Sequence, residues 1–256
     1  MVPLPLGPQG GEPALPLTGE RTVPGIAHEN YWFQRHVAAY TFAARRCQGF
    51  SVLDAGCGEG YGTALLGEVA AGAVGVDVAV DVVAHARAAY PALRFGVEDL
   101  CDLSLADASF DAVVSLQVIE HLPDVARFLG EVARVLRPRG TFVCATPNRL
   151  TFTPDRDTPR NPFHVREFSP AELVATLSPR FHVTELHGLA HGPRLRAVEL
   201  LARRRFPDLT LERPPEHRPA WLTRTIAAVR PWDFPIRLGA LDASLDLVAV
   251  ATPRAW

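Results

Sequence analysis

Short apolar runs alternate with amphipathic segments from the first helical stretch to Thr146. Compact apolar runs predict buried strands, whereas apolar residues spaced by three or four positions predict helices. We predict helices over residues 29–48, 61–70, 80–90 and 123–136, the last opened by Pro123. Strands are predicted at residues 52–55, 73–77, 93–97, 109–115, 140–145 and 244–251.

Strands that alternate with helices form right-handed βαβ units, and such units build a parallel sheet covered by helices. We therefore predict a doubly wound α/β fold. After Thr146 the alternation weakens, and we interpret segments near 150–168 and 190–240 as insertions around an active site. Residues 21–256 would form this single domain. Residues 1–20 are rich in Pro and Gly and predict a disordered tail, not a signal peptide.

Composition narrows the class of protein. The chain has 256 residues, 48% of them hydrophobic, so one large domain with a substantial core is expected. Its formal charge of −2 argues against a nucleic-acid surface, although its basic residues are all Arg. We predict no membrane span, because no apolar run is long enough. The four cysteines form no C-x-x-C pair, which favours a reducing, cytoplasmic location.

The most informative segment is the strand that ends in alternate glycines between Val52 and Gly62. Glycines permit positive φ and close approach of a ligand, and the first N–H groups of the next helix are unpaired donors. The dinucleotide pattern G-x-G-x-x-G nevertheless fails in every register, because the last glycine is missing each time. The turn therefore predicts a nucleotide site of another kind.

Two carboxylates flank the glycine turn. Asp54 ends the first predicted strand, and Asp77 ends the next one, 23 residues later. A pyrophosphate needs only N–H donors, whereas S-adenosylmethionine carries a cationic α-amino group that needs an acceptor. Its ribose diol needs a second, bidentate acceptor. We therefore predict a site for this sulfonium cofactor; the alternative is a structural glycine turn with a helix-capping Asp.

Six motifs, in order and spacing, resemble class I S-adenosylmethionine-dependent methyltransferases over roughly residues 50–190 and 243–251. They are LDAGCGEG at 53–60, GVD at 75–77, EDL at 98–100, SLQVIEHL at 115–122, LRPRGT at 136–141 and TPN at 146–148. The resemblance implies a Rossmann-like, seven-stranded sheet whose last strand is antiparallel. It also implies S-adenosylmethionine as the cofactor.

The same resemblance assigns the first part of the cofactor site. Asp54, Gly56 and Gly58 are expected to hold the methionine moiety, and Asp77 the ribose. These four residues lie in the two motifs that match the family pattern at the ends of the first two strands.

The remaining cofactor contacts are expected on later loops and on the first helix. The resemblance implies that Asp99 and Leu100 hold the adenine and that Gln117 lies beside the sulfonium. Tyr31 and Trp32 could close over the cofactor, because aromatic faces attract a cation. The alternative for these two is packing of the first helix onto the core.

A narrower resemblance concerns residues 17–24, 29–33, 161–167 and 191–196. These segments are similar to actinobacterial methyltransferases associated with methylglucose lipopolysaccharide, a polymethylated polysaccharide. The resemblance implies O-methylation of sugar hydroxyls, with the 6-hydroxyl of glucose units as the candidate position. The alternatives are a small-metabolite O-methyltransferase, acting on a quinone precursor or a fatty acid, and a non-catalytic binding protein of the same fold. The oligomeric state stays open.

Two histidines are candidate catalytic bases. A sugar hydroxyl must lose its proton during methyl transfer, and His is the usual base near neutral pH. His121 follows the fourth predicted strand and His164 lies in the loop after the fifth. The alternatives are a strand-end histidine bonded to backbone for His121 and a loop anchor for His164.

Metal and substrate contacts are less defined. Glu120 beside His121 raises the option of magnesium, although Gln117 stands where related methyltransferases carry a Glu, so the metal stays unknown. Two groups, one at Arg156, Asp157 and Arg160 and one at residues 191–196, could bind an acceptor's hydroxyls or carboxylate. Their alternative is solvated surface.

Overall fold

The computed structural model describes residues 22–154, 156, 158–211 and 214–254, so the tail predicted at residues 1–20 lies outside the described residues. The strands are β1 (Ser51–Ala55), β2 (Gly72–Asp77), β3 (Arg94–Val97), β4 (Phe110–Leu116), β5 (Leu136–Pro147), β6 (Phe181–Leu189), β7 (Ile236–Leu238) and β8 (Asp246–Pro253). The helices are α1 (Asn30–Ala44), α2 (Tyr61–Gly67), α3 (Val80–Ala89), α4 (Val125–Val135), α5 (Arg149–Phe152), α6 (Pro170–Leu177), α7 (Pro193–Ala202), α8 (Phe206–Leu211) and α9 (Ala220–Ala227).

These strands form one sheet in the order β3-β2-β1-β4-β5-β8-β6-β7. The first five strands are parallel, and β8 inserts antiparallel between β5 and β6. The predicted doubly wound fold with an antiparallel last strand is confirmed. The resemblance implied seven strands, whereas the sheet has eight. The additional strand is the short edge strand β7, which lies in the segment interpreted as an insertion and pairs with β6.

The strand order reverses at β1, which pairs with β2 on one side and with β4 on the other. Helices that follow these neighbouring strands diverge, and the crevice between them opens at the carboxyl ends of the strands. The glycine turn after β1 and the loop after β4 therefore face the same crevice. This is the place where the fold positions a site.

Several predicted boundaries differ from the structure: α1 ends at Ala44 rather than at residue 48, and α2 ends at Gly67 rather than at residue 70. Helix α4 begins at Val125, not at Pro123, because the Asp124 carboxylate caps it by accepting the Arg127 N–H at 3.0 Å. Strand β5 begins at Leu136 rather than at Gly140, because Leu136 pairs with Phe110 before an irregularity in the register.

Apolar side chains cover both faces of the sheet. One cluster packs α1, α2 and α3 against the strands, and the other packs α4 and α6 on the opposite face. Helices α7, α8 and α9 lie between β6 and β8 in the chain, where we predicted an insertion. Within the described residues, no helix combines the length and the apolar character that a membrane crossing requires.

A buried ion pair joins the first helix to the last strand. The Arg35 Nε donates to Asp246 Oδ2 at 2.6 Å, a second guanidinium N–H donates to Oδ1, and that nitrogen also donates to the Leu245 carbonyl at 3.0 Å. Both side chains are almost fully buried, at 3% and 1% exposure. Such a pair orients the elements that carry it, and breaking it leaves an uncompensated charge in the core.

Removing one charge of this pair should therefore destabilise the protein. Asp246→Asn keeps the shape but leaves the buried guanidinium without a counter-charge, so we expect the free energy of unfolding in urea to fall by about 3–5 kcal/mol. The matched control is Asp102→Asn, because Asp102 pairs with Arg127 on the surface. We expect it to change stability by less than about 1 kcal/mol. Equal effects of the two substitutions would contradict the assignment.

The contact between α2 and α1 depends on a glycine. A Cβ at Gly62 would lie 2.0 Å from the Tyr40 ring, whereas a Cβ at Gly130 in α4 would meet nothing within 4 Å. We expect Gly62→Ala to destabilise the protein by about 1–3 kcal/mol in urea unfolding. Gly130→Ala should leave stability unchanged or raise it by up to about 1 kcal/mol. A Gly62→Ala protein as stable as the parent would show that the packing is not tight.

Candidate functional site

The glycine turn after β1 is fixed to β2 by its backbone. Gly56, Gly58 and Gly60 have positive φ angles of 84°, 49° and 84°. The N–H groups of Gly56 and Cys57 both donate to the Val76 carbonyl at 2.9 Å. This conformation suits glycine, since a side chain is strained at such angles. The turn is therefore rigidly placed at the carboxyl edge of the sheet.

Asp77 holds the turn through its side chain. Its Oδ2 accepts the Gly58 N–H at 3.0 Å, and its Oδ1 accepts the Ala79 N–H at 3.1 Å. The residue is half-buried. Each carboxylate oxygen has a second lone pair, so Asp77 can still accept from a diol. Its predicted ribose contact stays a prediction, and the structure adds that Asp77 shapes the turn.

Asp54 is fully enclosed beneath the turn. Tyr40 donates to its Oδ1 at 3.1 Å and Thr63 to its Oδ2 at 2.7 Å, and the side chain has no exposed surface. Burial raises the pKa of this carboxyl to about 7, and the two hydrogen bonds oppose that rise. A nearby cation would favour its ionised form. Direct contact with the cofactor's amino group stays a prediction.

A tight contact connects the glycine turn to the loop after β4. A Cβ at Gly56 would lie 2.4 Å from Val118 Cγ2. Val118 follows Gln117, whose φ of 59° is unusual for a residue with a side chain, and whose N–H donates to the Ala145 carbonyl at 2.8 Å. The predicted sulfonium neighbour Gln117 is thus held beside the predicted methionine site.

The loop after β4 continues into a short 3-10 helix, Ile119–His121, that places a carboxyl in the interior. Glu120 is fully buried, its Oε2 accepts from the Thr146 hydroxyl at 3.0 Å, and its Oε1 is buried without a hydrogen-bond partner. Burial raises the pKa of Glu120 to about 8. A buried carboxyl oxygen without a donor favours a bound proton, cation or donor group.

His121 has a defined tautomer. Its Nδ1 lies 2.9 Å from the Phe163 carbonyl oxygen, which can only accept. The neutral ring therefore carries its hydrogen on Nδ1 and its lone pair on Nε2. Its ring meets the His164 ring edge-on, with the centroids 4.9 Å apart. His121 can thus accept a proton at Nε2.

His164 is oriented on both sides. Asn161 Oδ1 accepts the Phe163 N–H at 3.0 Å, so the Asn161 Nδ2 is the group that faces His164 Nε2 at 3.1 Å. That nitrogen must accept, so Nδ1 carries the hydrogen and donates it to Glu167 Oε1 at 2.9 Å. Both ring nitrogens of His164 are therefore engaged by side chains of its own loop.

Glu120, His121 and His164 could together hold a cation. Each offers one ligand atom, and these atoms lie within 4.8 Å of one another. Magnesium prefers oxygen ligands, whereas two imidazoles and one carboxylate suit a transition-metal ion better. His164 would have to exchange its Asn161 contact for the ion. Magnesium therefore fits this cluster less well than a transition-metal ion, and the metal stays unknown.

The predicted adenine contacts lie apart from the histidines, after β3. Asp99 is exposed and its Oδ1 accepts the Cys101 N–H at 2.8 Å, while Leu100 is buried in the core on the α4 face. Both follow the strand that pairs with β2, the strand that ends in Asp77. Their contact with the cofactor stays a prediction.

Tyr31 and Trp32 occupy different environments. Tyr31 is fully buried, stacks on Phe206 with centroids 4.7 Å apart, and bonds through its hydroxyl to His191 Nε2 at 2.8 Å. Trp32 is half-buried, with the Arg35 guanidinium 5.3 Å from its ring centroid. The arrangement of Tyr31 favours the alternative of helix packing over a direct cofactor contact.

Several groups considered for acceptor binding are engaged within the protein. His191 Nδ1 pairs with Glu199 at 3.1 Å, Arg194 pairs with Asp233 at 2.5 Å, and Arg160 pairs with Asp208 at 2.5 Å. These contacts fasten the segments after β5 and β6. Arg156 is exposed, and Asp157 lies outside the described residues.

The sequence interpretation missed Asn161 and Glu167 as partners of His164. Glu167 is buried at 5% exposure and lies three residues after His164. It is part of the segment 161–167, which was considered only for its resemblance to other methyltransferases. The spacing of a His and a Glu three positions apart could have suggested the pair. Asn161 carried no such signal, because its role depends on the fold of the loop.

Comparison with known proteins places this site in a family. A protein-family model described as a methyltransferase domain matches residues 53–144. The chain is 48% identical over 245 residues to a probable S-adenosylmethionine-dependent methyltransferase of Mycolicibacterium smegmatis, covering 93% of this chain and 95% of that protein. It is 32% identical over 175 residues to a ubiquinone biosynthesis O-methyltransferase of Azorhizobium caulinodans, covering 62% and 69%.

A solved structure agrees in fold. A Haloferax volcanii methyltransferase, in complex with the Trm112 methyltransferase activator, aligns with a TM-score of 0.59 and 24% identity, covering 90% of this chain and 95% of that one. At this identity the likeness concerns the fold alone. The family itself follows from the long alignment with the Mycolicibacterium protein. The chain belongs to the S-adenosylmethionine-dependent methyltransferases.

Proposed function

We propose that this methyltransferase moves the methyl group of S-adenosylmethionine to a hydroxyl of a carbohydrate acceptor, with the 6-hydroxyl of glucose units in a polysaccharide as the candidate position. The observation that carries the proposal is the polar cluster of Glu120, His121 and His164 beside the loop that holds Gln117. A cluster of this kind can bind a hydroxyl and accept its proton.

Methyl transfer is an in-line displacement, so alignment of acceptor oxygen and methyl carbon supplies much of the acceleration. The glycine turn and Asp77 would hold the donor on one side of the crevice. The contact between Gly56 and Val118 fixes that side against the loop that carries His121. Donor and acceptor would therefore meet at the carboxyl ends of β1 and β4.

We assign the base to His121. Its Nδ1 hydrogen is held by the Phe163 carbonyl, so the lone pair that can take up a hydroxyl proton is on Nε2. His164 has both nitrogens engaged by Glu167 and Asn161, which suits orientation of the cluster better than proton transfer. Cofactor binding by Asp54, Gly56, Gly58, Asp77, Asp99, Leu100 and Gln117 is part of the same proposal.

A phenolic quinone precursor is the second candidate acceptor. The relative from Azorhizobium caulinodans that is named a ubiquinone biosynthesis O-methyltransferase supports it. A polyprenyl-bearing acceptor would need a long apolar groove. The cleft between α5 and α6 has a mixed lining, with Arg149 and Arg166 beside Val165 and Phe168, so it is not the uniformly apolar groove that a polyprenyl chain would need.

The cofactor assignment predicts the effect of removing one carboxylate. Asp77→Ala should weaken binding of S-adenosylmethionine by at least about tenfold in calorimetry, because the ribose loses a charge-assisted hydrogen bond. Asp81→Ala is the matched control, since Asp81 is an exposed carboxylate on α3. Circular dichroism would check that both variants fold. Unchanged affinity in a folded Asp77→Ala protein would remove Asp77 from the site.

The base assignment predicts unequal effects of the two histidines. His121→Asn should lower kcat for a methylglucan acceptor by about 10²–10⁴-fold, the range for loss of a general base. His164→Asn should cost less, because His164 acts through the position of its neighbours. His182→Asn, an exposed histidine on β6, serves as the control.

Calorimetry should show that all three histidine variants still bind S-adenosylmethionine. Turnover that survives His121→Asn would refute the base. A larger loss in His164→Asn than in His121→Asn would reverse the two assignments.

A further inference from the structure

The segment at residues 190–240 combines positive charge with exposed apolar side chains. It carries ten arginines and five acidic residues, a surplus of five positive charges in a chain whose net charge is −2. Within the described residues it also supplies six of the thirteen exposed large hydrophobic side chains. They are Leu200, Leu201, Leu211, Trp221, Trp232 and Leu238. Exposed apolar side chains that cluster with polar borders mark interaction sites.

Helix α7 is apolar on two opposite sides. Leu195 is fully buried and Val198 packs against the core, so these two residues define the inner side. Successive residues of a helix are rotated by about 100°, which places Ala197, Leu200 and Leu201 on the outer side. Leu200 and Leu201 are 79% and 85% exposed, the highest values among the exposed large hydrophobic residues of the described chain. The described part of the protein thus leaves the outer side of α7 uncovered.

Hydrogen bonds and an ion pair at the start of α7 hold this helix in place. The Gly192 N–H donates to the Asp233 carbonyl at 2.7 Å, and the Arg194 guanidinium pairs with the Asp233 carboxylate at 2.5 Å. Asp233 ends the 3-10 helix Pro231–Asp233, whose Trp232 is 65% exposed. An exposed tryptophan therefore lies on an element that is fastened to the start of α7.

Arginines border the apolar outer side of α7. Arg196 is exposed and lies between the inner and outer sides of the helix, and the exposed Arg203 caps its carboxyl end. Glu199, the acidic residue within the helix, pairs with His191 at 3.1 Å. The outer side of α7 thus has an apolar centre and basic borders.

Charge decides between the possible partners of this surface. In a symmetric dimer the surface would face itself, so arginines would meet arginines. The headgroups of an anionic membrane attract arginines, and the boundary between headgroups and acyl chains accepts leucine and tryptophan side chains. Leucines bordered by arginines on one helix are typical of helices that lie on a bilayer without crossing it.

We propose that the outer side of α7, together with Trp232, is a docking surface for a bilayer that contains anionic lipids. Leu200 and Leu201 enter the boundary below the headgroups, and Arg196 and Arg203 bind headgroup phosphates. Docking is reversible, because so few apolar side chains bury little area. The inference goes beyond the proposed methyl transfer and is independent of which acceptor receives the methyl group.

Co-sedimentation of the full-length protein with lipid vesicles tests this surface. Vesicles of phosphatidylcholine alone are compared with vesicles of an equimolar mixture of phosphatidylcholine and phosphatidylglycerol. We expect the protein to partition at least about tenfold more strongly onto the anionic vesicles, because each arginine near the surface adds electrostatic attraction. Partitioning should weaken as the NaCl concentration rises, since salt screens these charges.

A leucine variant locates the apolar contact. The double variant Leu200→Gln/Leu201→Gln should lose at least about tenfold in partitioning, because two apolar side chains no longer enter the bilayer. Both residues are exposed, so the variant should fold normally, which circular dichroism checks. Val80→Gln is the control and should partition like the parent protein. Val80 is 68% exposed on α3, which packs against β2 and β3 at the edge of the sheet opposite to β6 and β7.

An arginine variant locates the contact with the headgroups. The double variant Arg196→Gln/Arg203→Gln should reduce the preference for anionic over neutral vesicles, because two charges at the border of the surface are removed. Arg94→Gln is the control, since Arg94 is an exposed arginine on β3. It should keep the preference of the parent protein.

Three results would overturn the docking surface: equal partitioning onto the two kinds of vesicle, no partitioning onto either, or partitioning that survives both double variants. Sedimentation velocity without vesicles adds a fourth: a dimer that the leucine variant converts to a monomer would assign the outer side of α7 to a second copy of the chain.

Binding of S-adenosylmethionine, measured on the same samples, separates this inference from the proposed function. A leucine variant that binds the cofactor normally but no longer partitions onto vesicles supports the docking surface. Absence of cofactor binding in a parent protein that still partitions onto anionic vesicles would refute the proposed function and leave the docking surface supported.

Discussion

The buried pair of Arg35 and Asp246 is the interaction on which the arrangement of the site depends. It joins α1, which precedes the first strand, to the first residue of β8, which pairs with both β5 and β6. Because the guanidinium has an exposure of only 3%, the helix cannot shift without separating two charges in the core. Trp32, whose ring lies beside the same guanidinium, is thereby held against Phe152 in α5, with ring centroids 6.5 Å apart. The two ends of the domain thus meet beside the crevice.

A second constraint is the backbone link between two loops. The Glu120 carbonyl accepts N–H groups from Val165 and Arg166, so the loop after β4 and the loop after β5 form one unit. This unit carries His121 and His164, and its residues Val165 and Arg166 line the cleft between α5 and α6. Both loops are needed to fix the geometry. The hydrogen bonds of His164 come from its own loop, whereas the hydrogen bond of His121 to Phe163 and the contact between the two histidine rings cross between the loops. The cluster of Glu120, His121 and His164 is therefore built from residues far apart in sequence.

Features that depend on neighbours in the chain could be predicted from the sequence. Alternating apolar runs indicated the parallel sheet, and the glycines and Asp77 indicated the turn. Two strands were not predicted: Phe181–Leu189 and the edge strand Ile236–Leu238. The edge strand has too few residues to show a period, and its pairing depends on β6. Tyr31 and His191 are 160 positions apart, and their hydrogen bond could not be inferred from either residue. The arginines after β5 and β6 were interpreted as possible acceptor contacts. Their carboxylate partners lie on distant elements, so the ion pairs could not be inferred from the sequence either.

The absence of a side chain at Gly56 limits which substitutions the glycine turn can accept. The turn touches Val118 directly, with room for less than one methyl group between them. The glycine turn and the loop after β4 are thus in direct van der Waals contact, with no space to absorb a side chain at Gly56. Any enlargement of the turn would press on Val118 and displace the loop that carries His121. The spacing between the glycine turn and the loop after β4 is therefore set by the absence of one side chain.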